Sequence, residues 1–278
     1  HLGATVLFGA LGLVDRAFAR FKPPHPAAVR KILAIRLDLL GDVVFTLPAL
    51  AALRETYPEA EITLLVLPYT REVAAACPDV DRVLAWDANR YRRLAGWRHW
   101  RETVALVRAL RRERFDVAVC FHGHLASLVA FASGARRRVG YRGHSYPFLL
   151  TEPVEGRRYH RHQHEVEYCL DLTRALGARP REPWARLRVP VDSGEVDALL
   201  ARHGVAPDRP LVAFQVGASN GSAKRWPPSY WATLADQVTT STGAQVLFIG
   251  SASDRPLVDA IRERTRAPSV SLAGATSI

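Results

Sequence analysis

The 278-residue sequence contains no methionine and only three cysteines, and both scarcities carry information. Translation starts at methionine, so we expect a fragment that lacks residues at both ends. The cysteines are far apart in apolar or helical patterns, without the close spacing of metal ligands. They are Cys77, Cys120 and Cys169. We therefore expect free thiols in a reducing compartment, for which the cytoplasm fits best.

Long hydrophobic runs are also scarce. The opening stretch HLGATVLFGALGLVDRAFARF is apolar as far as Asp15, which is shorter than the roughly 20 residues that span a bilayer. It could be the rest of a membrane segment, or an interfacial helix whose Arg16, Arg20 and Lys22 meet lipid phosphates. A leader without membrane contact is the alternative.

Acidic residues are outnumbered, 27 against 38 lysines and arginines, which gives a net charge of +11 and favours an anionic partner. No nucleic-acid module or aromatic platform accompanies the arginines between Arg90 and Arg114, so we predict a basic cleft for an anionic acceptor and no nucleic acid. His160, His162 and His164 lack an acidic or cysteine partner, so we expect no metal site.

From Lys31 onward, short apolar runs alternate with helical patterns. Such runs are typical of a parallel sheet covered on both faces. The alternation breaks between His144 and Arg188 and resumes near residue 210. We predict an α/β fold of two Rossmann-like domains whose parallel sheets face a cleft. The predicted boundaries are a leader at 1–30, a first domain at 31–190, an interdomain region at 191–209 and an incomplete second domain at 210–278.

The loop after the first predicted strand contains two aspartates in RLDLLGD, Asp38 and Asp42. Ligands bind beyond the carboxyl ends of parallel strands, so either carboxylate could be a general base. Either could instead cap free amides of the helix that follows or interact favourably with its dipole, although a helix start has only one N-cap position. Gly41 would permit a tight turn or the close approach of a ligand. Pro48 implies a kinked helix, or one whose regular part starts near Thr46.

Three further loops follow predicted strands. GASNGSAKRWPP offers backbone amides with Ser219, Asn220 and Lys224 for a phosphate, although an ordinary surface turn is the alternative and neither a Walker A nor a GxGxxG spacing is present. In GSASDRP, Asp254 could cap a helix or accept hydrogen bonds from a ribose. In FHGHLAS, His122 and Gly123 could line the same cleft.

These loops together resemble glycosyltransferase family 9, the ADP-heptose:lipopolysaccharide heptosyltransferases and their relatives. The resemblance runs from about Lys31 to the end of the chain. It is carried by ILAIRLDLLGDVVFTLPAL, FDVAVCFHGHLAS with RRRVGY, VGASNGSAKRWPPSYW and LFIGSASD. It implies a GT-B fold in which the first domain binds the acceptor and the second binds a nucleotide sugar.

The resemblance also assigns roles to residues. Asp42, directly after the glycine, would be the general base of an inverting transfer that needs no metal or other cofactor. Asp38 would support the loop or hold a nearby arginine. The residues implied for the donor are Gly41, Ser219, Asn220, Lys224 and Asp254. His122, where relatives often carry glutamine, and Gly123 would meet the acceptor.

The family's later Asp-Ser/Thr-Gly-x-x-His segment does not occur in the sequence, so activity of the chain as it stands is not assumed. The expected partners are a nucleotide sugar, for which the resemblance favours ADP-heptose, and an anionic glycolipid. We expect a cytoplasmic monomer that contacts the inner-membrane surface peripherally. A nucleotide-binding protein of the same fold without transferase activity is the alternative.

Overall fold

A computed structural model describes residues 28–88, 96–155, 163–179, 184–189, 192–218 and 222–276. The chain divides into two compact units, His1–Val189 and Pro190–Ile278. Most of the predicted leader, with Arg16, Arg20 and Lys22, lies outside the described residues, as do His160 and His162. No helix in the described part of the chain combines the length and apolar character needed to cross a membrane.

The first unit is built on six parallel strands in the order β3-β2-β1-β4-β5-β6. The strands are β1 (Lys31–Arg36), β2 (Glu61–Val66), β3 (Arg82–Ala85), β4 (Val117–Cys120), β5 (Arg137–Tyr141) and β6 (Glu152–Val154). The helices are α1 (Leu40–Thr56), α2 (Arg71–Ala75), α3 (Gly96–Glu113), α4 (His124–Ser133) and α5 (Glu165–Arg174). The predicted α/β class with a parallel sheet is confirmed.

Both faces of this sheet are buried, which explains why its strands read as continuous apolar runs. Along β1, Ile32 and Ala34 join one hydrophobic cluster, while Leu33 and Ile35 join the other. The first cluster contains residues of α1 and α5, and the second contains residues of α3 and α4. Strand order reverses between β1 and β4, so the loops after these two strands open the crevice where ligands of such sheets bind.

Two features of the first unit differ from the predictions. Strand β6 lies in the region from His144 to Arg188 where no strand was predicted. It is short, contains Pro153 and forms the edge of the sheet, where a missing backbone N–H does no harm. Helix α1 begins at Leu40 and continues through Pro48, so the alternative start near Thr46 is wrong.

The second unit contains three parallel strands in the order β7-β8-β9. They are β7 (Leu211–Gln215), β8 (Gln245–Ile249) and β9 (Ser269–Ser271), and the helices are α6 (Ser193–Arg202), α7 (Pro228–Thr242) and α8 (Arg255–Arg262). Residues of α7 and α8 fill the core on one face of the sheet. On the other face, Leu200 of α6 packs on a cluster that contains Leu247, so α6 belongs to this unit.

Candidate functional site

The end of β1 carries a fully buried arginine surrounded by three carboxylates. Nη2 of Arg36 lies 3.1 Å from Oδ1 of Asp42, 3.1 Å from Oε1 of Glu165 and 3.6 Å from Oδ2 of Asp38. The Arg36 side chain is 0% exposed, while the exposed fractions of Asp38, Asp42 and Glu165 are 26%, 24% and 16%. The guanidinium is therefore internal, and the carboxylates lie between it and solvent.

The local backbone explains where the two aspartates lie. The N-cap of α1 is Leu39, which makes no side-chain capping bond, and Oδ1 of Asp38 accepts a hydrogen bond from the Leu39 N–H at 3.1 Å. Asp42 lies within the first turn of α1, where a negative charge interacts favourably with the helix dipole. Neither aspartate is the N-cap residue, so side-chain capping by Asp38 or Asp42 is wrong, whereas the predicted alternative of a favourable interaction with the helix dipole agrees with the place of Asp42.

The carboxylate of Asp42 lies close to the guanidinium of Arg36 but accepts no hydrogen bond from it. Nη2 of Arg36 donates to Oε1 of Glu165 at 3.1 Å, and Nη1 donates to Sγ of Cys169 at 3.8 Å. Among the described residues, no donor is hydrogen-bonded to the side chain of Asp42. Its lone pairs are therefore available to accept a proton, which is what a general base requires.

Charge balance keeps Arg36 protonated inside the protein. Burial alone lowers the pKa of this guanidinium, but the neighbouring Cys169 sulfur and the carboxylates of Asp38, Asp42 and Glu165 outweigh that effect, and the pKa is raised above its ordinary value. A buried cation is tolerated only when it is paired in this way. We call the arginine and the three carboxylates around it the Arg36 cluster: Arg36, Asp38, Asp42 and Glu165.

Neighbouring loops border this cluster. Nε2 of His122, after β4, lies 3.9 Å from Oδ2 of Asp38, as expected from the strand order. The Tyr69 hydroxyl donates to the Asp38 carbonyl at 3.3 Å. Burial, together with the charges of Asp38 and Asp42, raises the pKa of Tyr69. Gly123 precedes α4 with φ 84°, a conformation that favours glycine.

Gly41 lies inside the first turn of α1, and its φ is not in the left-handed region. The predicted tight turn at Gly41 is therefore wrong. A Cβ at this position would meet no atom within 4 Å, so the space beside the backbone is open. The approach of a ligand to Gly41 stays a prediction.

The second unit has a pocket of about 540 Å³ beyond the carboxyl ends of β7 and β8. It is lined by Gln215, Gly217, Ala218, Lys224, Arg225, Ser251, Ser253 and Asp254. Lys224 is exposed and forms no ion pair with any described acidic residue. Nη2 of Arg225 donates to the Ala218 carbonyl at 3.1 Å, which leaves its charge beside the loop. Ser219 and Asn220 lie outside the described residues.

Asp254 has a structural role at this pocket. Its Oδ2 accepts hydrogen bonds from N and Oγ of Ser251, at 2.9 and 2.7 Å, and the two residues form a capping box that precedes α8. A Cβ at Gly217 would lie 2.5 Å from Oδ1 of Asp254, so this side chain fits only because residue 217 is glycine. Asp254 is the N-cap residue of α8, but its side chain makes no capping hydrogen bond to that helix, because it is engaged by Ser251 instead. The predicted side-chain cap is therefore wrong, and the contact of Asp254 with a nucleoside stays a prediction.

The structure brings Asp38, Asp42 and His122 together in the first unit, and Lys224 and Asp254 at one pocket in the second. The expectation that Asp38 holds a nearby arginine is confirmed, and Arg36 is that arginine. Sequence reasoning missed Arg36 and Glu165 as site residues. A charged residue that ends an otherwise apolar strand, KILAIR, is the signal that could have identified Arg36.

Comparisons with known proteins agree with this architecture. Residues 103–278 match the profile of glycosyltransferase family 9 (heptosyltransferase). Lipopolysaccharide heptosyltransferase 2 of Salmonella typhimurium is 27% identical over 263 residues, which cover 89% of this chain and 72% of the relative. The Escherichia coli protein of the same name is also 27% identical over 263 residues, with the same coverage.

Solved structures show the same fold. The structure of E. coli ADP-heptose lps heptosyltransferase II superposes with a TM-score of 0.68 at 26% identity, covering 89% of this chain and 73% of that one. The glycosyl transferase family 9 protein from Veillonella parvula superposes with a TM-score of 0.76 at 19% identity, covering 91% and 72%. Because the family profile matches more than half of the sequence, this chain belongs to glycosyltransferase family 9 and is a transferase enzyme.

Proposed function

We propose that this enzyme moves a heptose from ADP-heptose, or a related sugar from a nucleotide diphosphate, to the lipopolysaccharide core or a similar anionic lipid-linked acceptor. The names of two relatives, lipopolysaccharide heptosyltransferase 2, support the reaction and the acceptor, and the name of the E. coli ADP-heptose lps heptosyltransferase II structure supports the donor. The net charge of +11 suits an anionic acceptor. The observation that carries the mechanism is the Asp42 carboxylate, which is partly exposed, close to a cation and unoccupied by hydrogen bonds from the described residues.

In the proposed reaction, a hydroxyl oxygen of the acceptor attacks the anomeric carbon of the donor sugar. Its proton passes to the carboxylate of Asp42 as the new glycosidic bond forms. The bond from the anomeric carbon to the diphosphate breaks, and its electron pair leaves with the nucleotide. Attack from the face opposite the leaving group inverts the anomeric configuration. His122 and Gly123, beside the Arg36 cluster, would contact the acceptor.

The second unit would bind the donor. Lys224 is exposed at the 540 Å³ pocket, and its charge would stabilise the departing diphosphate together with Ser219, Asn220 and the loop amides. Asp254 lines the same pocket and would hold the nucleoside. Gly41 would leave room for the donor in the first unit.

The reaction would need no metal ion, so transfer is expected to persist after treatment with EDTA. The enzyme would act as a cytoplasmic monomer at the inner-membrane surface.

The test compares Asp42→Asn with Asp38→Asn in the full-length natural protein. Both changes remove one carboxylate from the Arg36 cluster, but only Asp42 is the proposed base. Asp42→Asn should lower kcat by about 10²- to 10⁴-fold, the usual contribution of a general base, while ADP binding measured by calorimetry stays near normal. Asp38→Asn should have a much smaller effect. Wild-type turnover in Asp42→Asn, or equal losses in both variants, would show that Asp42 is not the base.

A second measurement tests the stereochemistry. Proton NMR of the transfer product, compared with the donor, should show the opposite anomeric configuration. Retention of configuration would contradict the direct displacement.

A further inference from the structure

The side chain that receives the Arg36 hydrogen bond comes from a distant part of the chain. Glu165 is the first residue of α5, 129 residues after Arg36, and its carboxylate is more buried than those of Asp38 and Asp42. The same nitrogen, Nη2, lies 3.1 Å from both Glu165 and Asp42, but only the contact to Glu165 has hydrogen-bond geometry. Glu165 therefore competes with Asp42 for one cation.

We propose that Glu165 is a positioning residue for the transfer reaction: it engages the N–H of Arg36, so that Asp42 is held near the charge without being hydrogen-bonded to it. This inference rests on the proposed role of Asp42 as the base. Arg36 fixes the orientation of Asp42, and Glu165 limits how strongly Arg36 stabilises the ionised carboxylate. Both effects are needed, because a base must be ionised and must also bind a proton strongly enough in the transition state.

Removal of the Glu165 charge should change the proton affinity of Asp42 in a definite direction. Loss of a neighbouring negative charge, and release of an Arg36 N–H towards Asp42, both favour the ionised carboxylate. Asp42 would then be a weaker base that stays ionised at lower pH. The other charged or titratable groups that face the cluster, from every element around it, are unchanged by the substitution. Among the described residues they are Asp38 and Tyr69, His122 after β4, and Cys169 of α5.

The experiment measures kcat and kcat/KM against pH for Glu165→Gln in the full-length protein. The acid limb of the profile should move down by about one pH unit, and the plateau value of kcat should fall by about threefold to tenfold. Glu167→Gln is the matched control, because Glu167 lies on the same helix but pairs with Arg174 at 2.8 Å. Its profile should match that of the wild type.

Glu165→Asp keeps the charge but withdraws the carboxylate by one methylene group, so its acid limb should shift in the same direction by a smaller amount. This variant carries the test if Glu165→Gln fails to fold, as judged by circular dichroism and thermal unfolding. An unchanged acid limb in a folded Glu165 variant would overturn the inference. If Asp42→Asn is inactive while the acid limb of the Glu165 variants is unchanged, the base assignment stands and only the inference about Glu165 fails. An active Asp42→Asn would instead refute the base assignment on which the inference rests.

Discussion

Replacement of Gly217 by alanine tests the packing that forms the pocket of the second unit. The added Cβ would lie 2.5 to 2.6 Å from Oδ1, Cγ and Oδ2 of Asp254, distances that real Cβ atoms do not adopt. The carboxylate cannot simply swing away, because Oδ2 is held by N and Oγ of Ser251. Displacement would weaken two charge-assisted hydrogen bonds and strain the loop, so we expect a loss of about 2–4 kcal/mol in the stability of this unit.

Hydrogen exchange followed by mass spectrometry resolves the effect by location. Peptides from β7 and β8 should exchange faster in Gly217→Ala, while peptides from β1 and β4 in the first unit should be unaffected. Gly194→Ala is the control in the same unit. A Cβ there would meet only Oδ1 of Asp192, at 3.3 Å, and alanine is the better helix former.

A double-mutant cycle identifies the cause. Asp254→Ala removes the group that the new Cβ would strike, at a cost of about 1 kcal/mol for the lost cap. In that background Gly217→Ala should cost much less than in the wild type. If the two substitutions are instead additive, the contact between residues 217 and 254 is not the source of the loss, and our reasoning about the pocket is refuted.

Two other predictions concern ion pairing and thiols. Hydrogen bonds from Lys31 and Arg82 hold the pKa of Glu113 below its ordinary value of 4.5. The ionised carboxylate therefore stabilises the fold above pH 4.5, and this stabilisation is lost as the pH falls through the folded-state pKa. Glu113→Gln should therefore lower the free energy of unfolding in urea by up to about 1 kcal/mol at pH 7 and by less at pH 3; an equal loss at both pH values would contradict this. Burial raises the pKa of Cys77 to about 11 and that of Cys120 to about 12, so neither should react with iodoacetamide at pH 8 until the protein unfolds, as measured by mass spectrometry. Labelling of either thiol in the folded protein would show that its burial is incomplete.

Local sequence patterns predict much of this fold because the physics of strands and helices is local. The alternation that begins at Lys31 predicted a strand there, and β1 is Lys31–Arg36. A helix was predicted after the loop with Asp38 and Asp42, and α1 begins at Leu40, within that loop. Strand β6 was missed because three residues that include a proline give no periodic signal, and pairing with β5 alone makes them a strand.

The candidate site was predictable only where its residues are close in sequence. Asp38 and Asp42 lie beside a glycine after a strand, a pattern that is visible without a structure. The contact between Arg36 and Glu165 joins residues 129 apart, and nothing near either residue indicates the other. Asp254 illustrates the converse, because its hydrogen bonds to Ser251 are local, and a structural role at the helix start was one of the two alternatives that the sequence left open.

The burial of Arg36 also has a consequence for the order in which the protein folds. The arginine can leave water at low cost only when α5, more than a hundred residues later, supplies Glu165. A chain emerging from the ribosome could pair β1 with β2 well before α5 has been synthesised. Until then the guanidinium has only the two aspartates as partners and cannot be fully shielded. The charge arrangement around Asp42 is therefore completed late, once the first unit has closed.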